Sequence, residues 1–186
     1  MIGEVENITM EKNKVFIDGE VTTLSSQAIA ELRSDHAGEL GAVNIYRGIL
    51  SLSRDPFLLA FAESHLSTEQ KHLNELNKIL PKKSRSILSP CWVLAGRSLG
   101  YVCALAVPSF AYATIETVET FVVAHYSDQL HLFPPKLKKV IKEFMEEEIH
   151  HREDAAIKKD AGMPYKKWAY TVTKGSSLAV AIARKL

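Results

Sequence analysis

The sequence predicts an all-α protein: a four-helix bundle with an additional hydrophobic helix and a C-terminal helix. Three observations lead there. Long segments carry apolar residues at three- and four-residue steps, the period of one helix face. Capping residues and prolines punctuate those segments where helices begin and end. Two of the segments also carry a Glu-x-x-His pair, Glu69/His72 and Glu148/His151, which puts a carboxylate and an imidazole on one helix face.

The 186 residues suit one domain with a substantial core, and 46% hydrophobic against 24% charged residues makes the chain globular. Residues 1–25 form an N-terminal arm or short hairpin, and 26–186 the helical domain. With 23 basic and 22 acidic residues there is no charge excess to hold a nucleic acid. Cys91 and Cys103 lie in an apolar stretch. They make neither a disulfide framework nor a thiolate metal site, and read as buried, inert thiols in a reducing compartment. The start of the chain, acidic at Glu4 and Glu6, has neither the apolar core of a secretory signal nor the Arg-rich character of a transit peptide. It reads as cytosolic or already trimmed.

Weak alternation from Lys14 to Val21 suggests the hairpin. Ser25 or Ser26 caps a helix running to about Ser53, with Ile29, Leu32, His36, Glu39, Val43, Tyr46 and Leu50 along one face. Gly38, Gly41 and Gly48 each cost that helix roughly 1 kcal/mol against Ala, a cost that close backbone approach by a neighbour, or room for a ligand, would offset. Asp55-Pro56 opens a second helix, which ends before Pro81 and aligns His65, Glu69 and His72. From Ser86 to Ile115 the only charged residue is Arg97. Arg97 and Pro108 cut this run short of a membrane span, so it reads as a buried helix followed by the start of another, with a membrane-contacting surface as the competing reading. A helix from about Ser109 to His131 carries Glu116, Glu119, His125 and Tyr126. Pro134-Pro135 starts the next, to about Ala161, and Gly162-Met163-Pro164 stops it. The last helix, about Tyr165 to Lys185, closes the bundle with Ala169, Val172, Leu178 and Ile182.

A dinuclear carboxylate bundle needs Glu from each of two helices and Glu-x-x-His from each of two others. The chain supplies them in the order Glu39, Glu69 with His72, Glu119, Glu148 with His151. Four buried carboxylates repel one another, and two divalent ions balance them. Imidazole and carboxylate donors suit iron or manganese.

Asp35-His36-Ala37-Gly38-Glu39, Tyr46, Glu69-Gln70-Lys71-His72-Leu73, Pro90 with Trp92, Val118-Glu119, His125-Tyr126 and Glu147-Glu148-Ile149-His150-His151 resemble the demethoxyubiquinone hydroxylase family of ubiquinone biosynthesis. The resemblance runs from about residue 30 to the C-terminus. It implies a ferritin-like di-iron monooxygenase that inserts oxygen from O2 into the ring of a polyprenyl quinone. On that pattern the iron ligands are Glu39, Glu69, His72, Glu119, Glu148 and His151, with Glu69 and Glu148 bridging. His125 and Tyr126 become a possible electron or proton relay.

The resemblance further implies NADH or another reductant, although no Gly-rich dinucleotide fingerprint is present. It implies peripheral membrane contact through about 86–115, facing the cytoplasm in a bacterium or the mitochondrial matrix in a eukaryote, and a lipid-presenting partner of the same biosynthesis. Glu153 stands where the family has Asp, with Asp154 next, which leaves open which acid orients His72 or His151. A ferroxidase would share the ligands, a tRNA-modifying hydroxylase would need a basic face, and a metal-free membrane-adaptor bundle would tolerate their loss.

Overall fold

The computed structural model describes residues 13–160 and 165–186. The first dozen residues and the expected helix stop at 162–164 lie outside them. A two-stranded hairpin comes first, β1 (Lys14–Ile17) pairing antiparallel with β2 (Glu20–Thr23) so that Ile17 faces Glu20. Its turn needs two positive φ angles, supplied by Asp18 at 50° and Gly19 at 78°. A two-residue turn of that hand matches the twist of paired strands. Val15 and Ile17 point inward and their neighbours outward, as the strand period requires.

Six helices follow: α1 (Ser26–Leu52), α2 (Pro56–Ile79), α3 (Ser89–Leu105), α4 (Pro108–Gln129), α5 (Pro135–Lys158) and α6 (Lys166–Ala183). Ser25 Oγ accepts from the Ala28 amide at 3.1 Å and Asp55 Oδ1 from the Leu58 amide at 2.7 Å. Each satisfies an amide that the helix start leaves free. Prolines open α2, α4 and α5, where the missing N–H costs nothing.

Helices α1, α2, α4 and α5 form the bundle, and their apolar residues separate into two clusters. One cluster joins the hairpin to Ile29 and Leu32 of α1, Leu76 and Ile79 of α2, Tyr126 of α4 and Leu137, Ile141 and Phe144 of α5. The other joins Ile45, Tyr46 and Ile49 of α1, Leu58, Phe61 and Ala62 of α2, Tyr112 and Ile115 of α4 and Ala155 of α5. On every helix Glu39, Glu69, His72, Glu119, Glu148 and His151 fall between the two sets. The acidic residues thus occupy one layer of the bundle, held from both ends by apolar packing.

Helix α3 lies against the outside of α1. The axes approach so closely that a Cβ on Gly96 would sit 2.3 Å from Gly41 O, and one on Gly100 2.1 Å from Ile45 O. Only glycine fits at such a crossing. The expectation of a buried helix here is corrected: of α3 itself only Gly96, Gly100 and Cys103 are buried. Leu94, Tyr101, Val102 and Leu105 are exposed, with Ile87 just ahead of them. A charge-poor composition does not distinguish a helix inside a core from one that turns apolar side chains outward. Cys91 is exposed too, not buried as expected. Leu178 likewise points outward, at 62% exposure, because α6 faces α1 and α4 with Val172, Ala179 and Ala183 instead. Among the described residues no helix is long and apolar enough to cross a membrane.

Candidate metal centre

The polar layer brings all six of the predicted side chains together. Glu39, Glu69, His72, Glu119, Glu148 and His151 are each buried. Their donor atoms form two sets, Glu39/Glu69/His72/Glu148 and Glu69/Glu119/Glu148/His151, each with its atoms within 4.8 Å of one another. Glu69 and Glu148 belong to both sets. Both histidines turn Nδ1 inward: His72 Nδ1 lies 2.9 Å from Glu148 Oε1 and 3.6 Å from Glu39 Oε2, and His151 Nδ1 lies 3.0 Å from Glu69 Oε1 and from Glu148 Oε2.

The fit to metal ions can be tested on unsatisfied atoms. Glu39 Oε2, Glu69 Oε1, His72 Nδ1 and Glu148 Oε1 are buried, and although imidazole and carboxylate lie at ion-pair distance, none of the four makes an aligned hydrogen bond. A buried, unpaired polar atom costs about 1–3 kcal/mol, and more for a charged one. Four of them aimed at one centre are what a ligand set without its ions looks like. Like charges 4 Å apart repel by about 4 kcal/mol at an effective dielectric of 20, so nothing in packing alone explains four carboxylates here. The layer can hold metal ions.

The side chains behind the layer set its electrostatics. Burial pushes the Glu69 and Glu119 carboxyls well above the usual range, and the Glu148 charge adds to it. Burial would also raise Glu148, but the imidazoles of His151 and His72 outweigh it and hold it at about 2. Burial disfavours the charged form of His72, yet the Glu39 and Glu148 carboxylates raise it to about 12. Glu148 and Glu69 raise His151 to about 10 against the same burial.

Several supporting contacts were not legible in the sequence. Tyr46 donates its hydroxyl to Glu119 Oε1 at 3.2 Å, and Tyr126 donates to Glu39 Oε1. Each tyrosine fixes a carboxylate on another helix. His72 Nε2 meets Glu147 Oε2 at 2.5 Å, so the acid orienting this imidazole directly precedes Glu148. The open choice between Glu153 and Asp154 is settled otherwise. Asp154 Oδ2 pairs with His65 Nε2 at 3.0 Å, and the His65 ring packs 4.2 Å from that of His151. Glu153 lies beside Arg152 at 3.8 Å. Burial and the neighbouring His151 charge hold His65 down at about 4, so it supports His151 as a neutral ring. His125 does not bond to Tyr126; its Nε2 lies 3.0 Å from Asp35 Oδ1 instead.

One side of the layer opens into a cavity of about 390 Å³. Its walls are mainly apolar, from Ile45 on α1, Leu99 on α3, Val118 and Phe121 on α4 and Val172 on α6, with Trp92 and Trp168 among them. Glu39, Glu69, Glu119 and Glu148 reach its inner end. A space of this size and character takes a small apolar molecule and fixes it with a few polar groups.

Comparison with known proteins places this arrangement. The mitochondrial NADPH-dependent 3-demethoxyubiquinone 3-hydroxylase of Dictyostelium discoideum is 33% identical, over 97% of this chain and 87% of its own length. The enzyme of the same name from Caenorhabditis elegans is 30% identical, over 93% of this chain and 99% of its own. The 3-demethoxyubiquinol 3-hydroxylase of Rhodospirillum rubrum is 35% identical over 66% of this chain and 60% of its own. Residues 26–183 match the family model described as ubiquinone biosynthesis protein COQ7, and with the match spanning every helix that builds the polar layer, the chain belongs to that family.

Proposed function

We propose that this protein hydroxylates the ring of a polyprenyl demethoxyquinol in ubiquinone biosynthesis, with O2 as the oxygen source and a nicotinamide nucleotide or another reductant as the electron source. One ring C–H becomes C–OH, and the second oxygen atom leaves as water after taking up two electrons and two protons. The observation that carries this reading is the sharing of Glu69 and Glu148 between two ligand sets at the inner end of an apolar cavity. A storage or ferroxidase site handles hydrated ions and has no use for such a cavity.

The donor set fits iron: Glu39, Glu69, His72 and Glu148 would hold one ion, and Glu69, Glu119, Glu148 and His151 a second. Bound there, iron supplies the activation of O2 that no side chain provides. The chain does the rest. Tyr46 and Tyr126 hold Glu119 and Glu39 in place, and Glu147 and His65 support the two histidines. The apolar walls exclude water from the reacting ring. A proton or electron relay in this reading uses Tyr126, which donates to Glu39, and His125, whose ring lies 6.2 Å from that of Tyr126.

A polyprenyl substrate stays in a bilayer, and the exposed residues Leu94, Tyr101 and Leu105 of α3, with Ile87 just ahead of it, give an apolar surface to the helix that walls the cavity. That placement supports peripheral membrane contact through α3, with the cavity filled from the lipid side. The reading is tested with iron-loaded protein, a short-chain demethoxyquinol, reductant and O2, following the product by mass. Gain of one oxygen atom supports it; oxidation of ferrous iron with an unaltered ring would leave a ferroxidase.

A further inference from the structure

The polar layer is approached from a second flank of the bundle. A recess of about 470 Å³ opens between α2, α5 and the hairpin turn, and among the described residues it shares no lining side chain with the apolar cavity. Lys71, His72 and Glu75 of α2 line it, and Lys136, Val140, Glu143 and Glu147 of α5, all at the three- and four-residue steps of one helix face. Asp18 adds a carboxylate from the turn, and Lys139 a further ammonium. Most of these charges are paired at the rim: Lys136 with Glu20 at 2.8 Å, Lys139 with Glu143 at 3.7 Å, and Glu75 with Lys78 at 2.7 Å. Exposed pairs of that kind are weak, and a doubly charged ion outcompetes a lysine for either glutamate.

His72 closes the inner end. Its ring is almost wholly buried, and its Nε2 meets Oε2 of the half-exposed Glu147 at 2.5 Å. Its Nδ1, which makes no aligned hydrogen bond, lies 2.9 Å from Glu148 Oε1 in the layer. One imidazole thus touches the recess with one nitrogen and the ligand set with the other. The apolar cavity offers no such passage to a cation. Its walls would strip the hydration shell long before a carboxylate replaced it, and an uncompensated charge in such surroundings is very costly. The recess imposes no such step: six waters occupy about 180 Å³ at about 30 Å³ each, so an ion enters hydrated and exchanges water for carboxylate oxygen on the way in.

We propose that divalent metal ions reach the layer through this recess and not through the substrate cavity, with Glu75 and Glu143 drawing the ion in and Glu147 receiving it beside His72. Metal loading and substrate entry then use separate openings, and the cavity stays dry while the layer fills.

The inference rests on the metal reading of the layer, and the test separates the two. Metal-free protein is mixed rapidly with Co2+, and the visible absorption of the bound ion is followed in time. Glu75→Gln combined with Glu143→Gln slows uptake about tenfold, the low end of what electrostatic steering supplies. The Co2+ bound at equilibrium, its final spectrum and the helical circular dichroism stay unchanged, because neither residue belongs to a ligand set. Glu147→Gln, which removes the receiving charge, slows uptake as well. Gly175→Leu is the control on the other side: Gly175 lines the cavity and nothing lies within 4 Å of an added Cβ, so the larger side chain narrows the cavity and leaves the rate as it was. An unchanged rate in either recess variant, or slowing by Gly175→Leu, overturns the assignment. A native chain that binds no Co2+ refutes the metal reading itself.

Discussion

Gly100→Ala is the sharpest test of how the structure is held together. The added Cβ would stand 2.1 Å from Ile45 O, 2.8 Å from Gly48 Cα and 3.0 Å from Ile45 C. All three are backbone atoms of α1, so no rotamer change relieves the clash. Restoring van der Waals contact requires α1 and α3 to part by roughly 1 Å. Over-packing of this kind costs about 1–3 kcal/mol, and rigid backbone on both sides puts this site at the upper end. Replacing Gly by Ala within a helix returns about 1 kcal/mol. The net loss is about 2 kcal/mol, a fall in Tm of about 4–8 °C for a chain of this size. Gly175→Ala on α6 is the control: nothing lies within 4 Å of its added methyl, and there the helix-propensity gain stands alone. Thermal melts of both variants, followed by circular dichroism under one set of conditions, decide it. If Gly100→Ala melts at or above the native temperature, the α1–α3 approach is not as tight as described, and the cavity wall that α3 supplies is in the wrong place.

Three further outcomes follow from the site and its surroundings. Glu148→Ala removes a carboxylate common to both ligand sets, so iron content falls and hydroxylation is lost; full activity with unchanged iron would take Glu148 out of the site. His72 and His151 are raised to about 12 and about 10 from 6.5, so the stability they lend is complete below pH 6.5, and is lost as the pH rises through about 10 for His151 and about 12 for His72. A metal ion competes with those protons, and Co2+ affinity measured between about pH 6 and pH 9 rises with pH; a flat profile contradicts the charge state described. Leu94→Glu combined with Leu105→Glu changes two exposed positions and should abolish sedimentation with lipid vesicles while leaving the melting curve in place; undiminished sedimentation counts against α3 as the membrane face.

The four bundle helices and all six inward side chains were legible because each rests on a local rule. Caps and prolines mark the helix ends within about three residues, and Glu-x-x-His reports a shared face at fixed spacing. The supporting contacts were not legible, because each depends on distance across the bundle. Nothing local tells that Glu147 reaches His72 or that Asp154 serves His65. Glu147 stands in a run of three glutamates that reads as a solvated face. The exposure of α3 escaped for another reason: its composition suits a core, while its burial is set by the glycines that let it lie flat on α1.

The charge balance of the polar layer follows from the same burial that isolates it from water. Burial raises the Glu69 and Glu119 carboxyls, and the surrounding carboxylates raise His72 and His151. The layer thus favours shared protons over an uncompensated negative charge, the costliest outcome in an apolar surrounding. Metal ions bound by these donors would displace such protons. The two apolar clusters at the ends of the bundle keep the donor atoms within 4.8 Å of one another, so the packing of the framework brings the donors together.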